Sequence, residues 1–380
     1  MQTWNDPSLA PERAHDLLAE SAQRSLAYNE RDRLIVDWQN KARKKLRSLL
    51  MPRGWPEEVN LDFTIKTGPD VTVRRMDPDK FGSPVVGSAD PGTRIFDTYD
   101  ITFMAERNVK AIGRLFRPRI DPRTGIPPLL ICLEGHHVDM RTAWGEVDDP
   151  PPVQSWREDG LDYGRQALER GYAVFVLEQR GFGVRSDQRS PDLARYGGRC
   201  HNPAMVALLY GRTLIGERVH DVSRCITVLN QIVQEHTWWI DLSRIGCVGH
   251  SGGGTTTIFA TALDKRIKAA IVAGSFGQIG PTTGTQDHCV CAHIPDILNH
   301  LEMGDIGALV APRPLVVSHG VKDPRFPIET VHDALLTTRK AYESYAKAIP
   351  EENLALVEHD AGHIFGDHRT WDAFRRVTCW

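Results

Sequence analysis

The spacing of apolar residues divides the chain into three stretches. From residue 8 to 50 they recur at helical intervals, most clearly in ERDRLIVDWQNKARKKLRSLL, and Ser8 to Glu12 offers a helix start. Pro52, Gly54 and Pro56 end that pattern. From Leu61 to Arg119 short alternating runs predict strands over Phe63 to Thr67, Val71 to Arg75, Thr98 to Ala105 and Lys110 to Phe116. Asp77 to Thr93, rich in Pro, Gly, Asp and Ser, reads as loop. After Pro127-Pro128, short continuous apolar runs alternate with helical patterns. Strands are expected at Leu129 to Leu133, Ala173 to Leu177, Ile245 to Val248, Ile267 to Ala273, Pro314 to Ser318 and Leu354 to Val357. Helices are expected at Gly164 to Arg170, Leu214 to Val233 and after Gly252.

Buried strands separated by helices predict an α/β fold, with a mostly parallel central sheet covered by helices on both faces. Right-handed crossovers place the C-terminal ends of such strands on one edge, where ligands bind. The change of pattern suggests residues 1–94 as a helical extension with edge strands, and 95–380 as the catalytic domain. Composition adds exclusions. With 46 Lys and Arg against 49 Asp and Glu, the net charge of −3 gives no electrostatic case for nucleic acid or an anionic membrane. No apolar run approaches the ~18 residues of a membrane span. The opening residues show no basic n-region or apolar h-region, and seven is an odd number of cysteines. Both point to a reducing cytoplasm. The oligomeric state is left open.

The chemistry centres on Gly249-His250-Ser251-Gly252-Gly253, a G-x-S-x-G pattern between a strand and a helix. A serine on such a turn is exposed on strained backbone, and flanking side chains would collide, so glycines stand on either side. The helix that follows aims its free N–H groups at a developing oxyanion. The plain alternative is a glycine-rich turn with an incidental serine. A serine hydroxyl needs a base oriented by an acid, in the chain order serine, acid, histidine. Asp323 and His363 follow two later strands, on the edge that carries Ser251. Glu329, Asp333, Asp360, His359 and His368 compete with them less well. The oxyanion hole takes one N–H from Gly252 and one from the loop Glu134-Gly135-His136-His137, with His136 preferred and His137 the alternate.

Other stretches suggest less. Gly211 to Arg218 lacks the Walker spacing, and Arg212, Glu217 and Arg218 are expected to form ion pairs that pin a helix. The run Lys41 to Arg47 reads as a solvated helix face. Asp287 to His293 holds Cys289 and Cys291 but no second C-x-x-C, and in an extended segment its side chains alternate between opposite faces and point apart. No metal and no cofactor is therefore expected. Ser275 to Ala308 is expected to cover the pocket.

GHSGG at 249–253, GVKDPRFP at 320–327 and AGH at 361–363 together resemble the α/β-hydrolase superfamily. EQRGFG at 178–183, GRTLIGERVHDVSRCITVL at 211–229 and EMGDIGALVAPRPLVV at 302–317 are similar to its bacterial acetyl xylan esterase-like and dienelactone hydrolase-like branch. The resemblance covers about residues 95 to 370. It implies Ser251, Asp323 and His363 as the triad of a serine esterase. Two positions depart from the pattern. Glu134-Gly135 stands where related esterases often have His-Gly, and residue 251 is serine where dienelactone hydrolases proper use cysteine. The activity expected is hydrolysis of short acyl esters, acetyl above all, on a polar or carbohydrate alcohol. Glu134 and His250 are expected to contact substrate, together with His136 and His137. A serine peptidase, a lactone or other ester hydrolase, or a catalytically dead binding module on the same scaffold are the alternatives.

Overall fold

A computed structural model describes residues 10–29, 34–74, 93–120, 123, 125–136, 139–146, 158–188, 200–286, 288–345 and 353–380. The expected loop over Asp77 to Thr93 lies outside these, apart from its last residue. The sheet has ten strands: β1 (Thr64–Thr67), β2 (Val71–Arg74), β3 (Thr93–Glu106), β4 (Val109–Pro118), β5 (Pro128–Leu133), β6 (Ala173–Leu177), β7 (Asp241–His250), β8 (Ile267–Ala273), β9 (Leu315–Gly320) and β10 (Leu354–His359). Their order is β1-β3-β4-β6-β5-β7-β8-β9-β10, with β2 also on β3. The pairs from β6 through β10 are all parallel, and the β1–β4 end is antiparallel. This is the α/β architecture expected, in which the antiparallel strands continue the main sheet. The boundary expected between residues 94 and 95 falls inside β3.

The parallel strands read as continuous apolar runs because both their faces are covered: every residue of β5, β6 and β9 is buried. Their alternate side chains enter two cores. Leu129, Ile131, Leu133, Phe175 and Cys247 face one, with α2 (Ile35–Leu50), α5 (Leu214–Glu235) and α6 (Gly252–Leu263). Also on that side lie α7 (Met303–Val310) and α8 (Ile328–Glu343). Leu130, Cys132, Val174, Val176 and Val248 face the other, with α3 (Tyr163–Arg170) and α9 (His368–Thr378). A further helix, α4 (His201–Leu209), lies outside both.

The N-terminal helical pattern is interrupted. Helix α1 covers Pro11–Ser21 and α2 starts only at Ile35. Between them, Ser25 and Leu26 donate their N–H groups to the carbonyls of Asn299 and His300, and Tyr28 donates to Asp305. Those tertiary bonds outweigh a helical propensity of tenths of a kcal/mol per residue.

The sheet edge is braced by buried ions. Asp221 on α5 accepts from Arg180 at 2.8 Å and Arg185 at 2.7 Å, while Glu106 pairs with Arg180 and Arg212, and Arg212 with Glu217. Arg212 and Glu217 thus pin α5 as expected. Arg218 does not join them, for its guanidinium turns away beneath the β6 loop. Burial disfavours the Asp221 carboxylate, and the two guanidinium groups reverse this, holding its pKa at about 2. Asp221→Ala would take the carboxylate from buried Arg185 and leave Arg180 with Glu106 and Glu217 alone. It is expected to cost about 3–5 kcal/mol in urea unfolding. Because the folded pKa lies below the ordinary aspartate value of ~3.9, the stabilisation is whole above pH ~4 and fades as the pH falls towards about 2. An unchanged unfolding midpoint in the variant would overturn this account.

Candidate active site

The chain runs from β5 outward to β6 and returns on the other side of β5 as β7, which makes the β5/β7 gap the switch point of the sheet. The elbow sits there. Ser251 takes φ 54° and ψ −121°, a conformation that L-residues rarely adopt. Its N–H donates to the Ala273 carbonyl of β8, and its carbonyl accepts from Thr255. The glycines around it answer to close contacts. A Cβ on Gly249 would meet the Gly253 carbonyl carbon at 2.4 Å, and one on Gly253 would meet the Leu133 carbonyl oxygen at 1.9 Å. Helix α6 therefore begins against the end of β5. Its first N–H groups, from Gly252 on, have no partner within the helix.

His363 lies past β10, and its Nδ1 is 2.7 Å from Asp323 Oδ2. Among the described residues its Nε2 has no hydrogen-bond partner. The other carboxylate oxygen, Asp323 Oδ1, accepts from the N–H of Arg325 at 2.8 Å and, at 3.3 Å, of Phe326. Burial works against the Asp323 charge, but His363 and these N–H donors prevail and hold its carboxyl below the ordinary range. Ser251 and His363 share one cavity of about 460 Å³, lined also by His136, His201, His250, Gly252, His288, Val290, Ala292, Arg325 and Phe326. The His250 and His363 rings lie 4.6 Å apart.

The rivals lie elsewhere. His359 is buried on Ser318 and Thr370, Asp360 is exposed and paired with Lys322, and Glu329 and Asp333 are exposed on α8. His368 begins α9 beside Asp367. The structure does not bring Glu134 into the cavity. Its side chain is fully buried, and its Oε1 accepts from the Gln179 N–H at 2.8 Å, so it cannot meet a substrate hydroxyl as expected. Burial, reinforced by the neighbouring Glu178, pushes its pKa well up. His137 lies outside the described residues.

Sequence reading passed over His319. It is buried, its Nε2–H donates to the Phe326 carbonyl at 2.7 Å, and burial lowers its pKa, so it is a neutral clamp on the loop that holds Asp323. Its place directly before Gly320-Val321-Lys322-Asp323 was the available signal. Sequence reading also expected no metal at Asp287 to His293, on the premise of an extended segment whose successive side chains point apart. Val290–Ala292 instead forms a 3-10 turn, and Cys289, Cys291, Cys200 and His136 bring their ligand atoms within 4.8 Å of one another.

The model of the acetyl xylan esterase (AXE1) family matches residues 77–276, more than half of the chain. The protein YtaP of Bacillus subtilis (strain 168) is 27% identical over 182 residues, which cover 46% of this chain. The match spans 56% of that curated relative, a little over half its length. Among solved structures, a protein of Bacteroides fragilis NCTC 9343 superposes with a TM-score of 0.65 at 16% identity, over 92% of this chain and 82% of its own. A glucuronoyl esterase from Solibacter usitatus gives 0.59 at 14% identity, over 90% and 92%. An acetyl xylan esterase from Paenibacillus sp. R4 gives 0.51 at 16% identity, over 95% and 97%. These likenesses show the α/β-hydrolase type of fold.

Gly253→Ala tests the elbow. The new methyl group must push α6 off β5, and a melting point lowered by the equivalent of about 1–3 kcal/mol is expected. A variant that melts with the parent would mean that the close approach is not required.

Proposed function

Because the chain belongs to the acetyl xylan esterase family, we propose that it hydrolyses short acyl esters, acetyl above all, of polar and carbohydrate alcohols. Ser251 Oγ attacks the acyl carbon and His363 Nε2 takes its proton. Asp323 keeps the proton of the imidazole on Nδ1 and stabilises the imidazolium that forms. The N–H of Gly252 and a second from the loop after β5, at His136 or His137, receive the oxyanion. His363 then protonates the leaving alcohol, and water attacks the acyl-enzyme by the same route in reverse. One observation carries this reading. The imidazole of His363 is held at Nδ1 by Asp323 and has its other nitrogen unpaired, in the cavity that also receives the strained Ser251.

Ser251→Ala and His363→Ala are each expected to lower kcat by about three decades or more without loss of fold, and the double variant should be little worse, because such residues act as a unit. Losses that multiply would show that the two do not work together.

The cavity supports the short acyl group. Its apolar lining is short, made by Val290, Ala292 and Phe326 beside Cys289, and imidazoles with Arg325 make up much of the rest. A long acyl chain needs a continuous apolar channel, where each buried methylene contributes about 0.8 kcal/mol. His201, His250 and Arg325 are the side chains we assign to sugar hydroxyls, in place of Glu134. The value of kcat/KM should fall from acetyl to octanoyl p-nitrophenyl esters, and acetylated xylo-oligosaccharides should release acetate. A rise with chain length would sink the acyl assignment. No acetate from the sugar panel would remove the carbohydrate.

A further inference from the structure

Three cysteines and a histidine beside the cavity converge on one point. Cys200 stands at the start of α4, Cys289 directly precedes the Val290–Ala292 turn, and Cys291 lies within it. The sulfurs of Cys200 and Cys289 are 3.2 Å apart, and His136 Nε2 lies 3.3 Å from the Cys291 sulfur. All four ligand atoms fall within 4.8 Å of one another. Around a tetrahedral zinc ion, with Zn–S of about 2.3 Å and Zn–N of about 2.0–2.1 Å, ligand atoms sit about 3.5–3.8 Å apart. The cluster spans that range before any adjustment.

A second observation comes from Arg218. It is one of the largest fully buried side chains, with 2% of its surface exposed. Its Nε donates to the Arg180 carbonyl, its Nη1 lies 3.5 Å from the Cys291 sulfur, and its guanidinium covers the Phe182 ring at 4.3 Å. Among the described residues no carboxylate lies within 4.0 Å of it. A guanidinium so deeply buried is stabilised by negative charge beside it, and neutral thiols supply none.

We propose that His136, Cys200, Cys289 and Cys291 bind one zinc ion. Three thiolates, a neutral imidazole and a divalent ion carry one net negative charge, which the Arg218 guanidinium cancels. Binding releases the three thiol protons to solvent and needs no oxidant. Four protein ligands close the coordination sphere, so the ion is structural and takes no part in ester cleavage. It joins three segments: the loop after β5, the start of α4 and the segment over the cavity. The His136 ring also rests on Gly252, where an added Cβ would lie 2.9 Å from its Cε1 and Nδ1. The ion thereby fixes one wall of the oxyanion site.

The test uses the full chain, purified under reducing conditions without a histidine tag. Elemental analysis should find about one zinc per chain. Replacing it with cobalt should give the intense visible bands of tetrahedral coordination and a near-ultraviolet sulfur-to-cobalt charge-transfer band. Cys200→Ser and Cys291→Ser should each lose that band, whereas Cys379→Ser, at an exposed thiol far along the chain, should keep it. Stripping the ion should lower the melting temperature and free three extra thiols to a thiol reagent, and zinc should reverse both. If the serine variants fail to fold, the spectrum and thiol count of the unmodified chain still decide the matter. A chain that binds neither metal when reduced would overturn the proposal, as would cobalt bound without the charge-transfer band. So would a Cys200–Cys289 disulfide in place of a metal in protein taken from reducing conditions.

Discussion

The contact on which the catalytic edge depends is the one between Gly253 and the Leu133 carbonyl, where a side chain would reach 1.9 Å. It lets helix α6 start directly above the end of β5. Once that start is set, β7 must turn into the helix within one residue, and Ser251 absorbs the turn at φ 54°. The cost is of the order of 1–3 kcal/mol. It is met by the Ser251 N–H bond to Ala273 and by the buried faces of α6, where Ile258 and Phe259 enter the core. The same geometry aims the unpaired helix N–H groups and the serine at one volume. The position of Ser251 and the position of the helix N–H groups are thus one constraint, expressed twice.

Charge on this edge is sorted by environment. Asp323 and Glu134 both stand at the ends of parallel strands, and both are buried. Asp323 receives two backbone N–H groups and the His363 ring, which stabilise the anion. Glu134 receives one N–H and has Glu178 for a neighbour, and burial pushes its pKa well up. The residue ties β5 to the loop after β6 rather than entering the cavity.

The strands and most helices after residue 93 were legible because burial on both faces leaves short apolar runs that nothing else explains. Ala173 to Leu177 and Ile267 to Ala273 coincide with β6 and β8. What failed was what depends on tertiary partners. The break between α1 and α2 is made by Asn299, His300 and Asp305, distant in the chain, and periodicity carries no trace of it. The seating of Asp323 against His363 followed the order and placement read from the sequence, because topology fixes strand ends. The withdrawal of Glu134 was not legible, since it depends on Gln179 and Glu178 in the next strand–loop unit. The cluster of Cys289 and Cys291 escaped because its other members, His136 and Cys200, are distant in the chain.

The stretch EQRGFG shows how these parts are joined. Glu178 is buried beside Glu134, Gln179 holds the Glu134 carboxyl, and Arg180 enters the ion network of α5. Gly181 turns at φ 89°, and a Cβ there would strike the Cβ of Cys200 at 2.6 Å. Phe182 lies between Arg218 on one side and the His136 ring, 5.2 Å away edge to face, on the other. The stretch therefore supports the β5 loop, the ion network of α5 and the cysteine cluster, and none of its residues lines the cavity. Its composition is that of a scaffold piece: it supports the oxyanion wall from below, while the zinc ligands hold the same wall from the side. Through His136, which belongs to both supports, the wall of the cavity beside Gly252 is set by segments distant from one another in the chain.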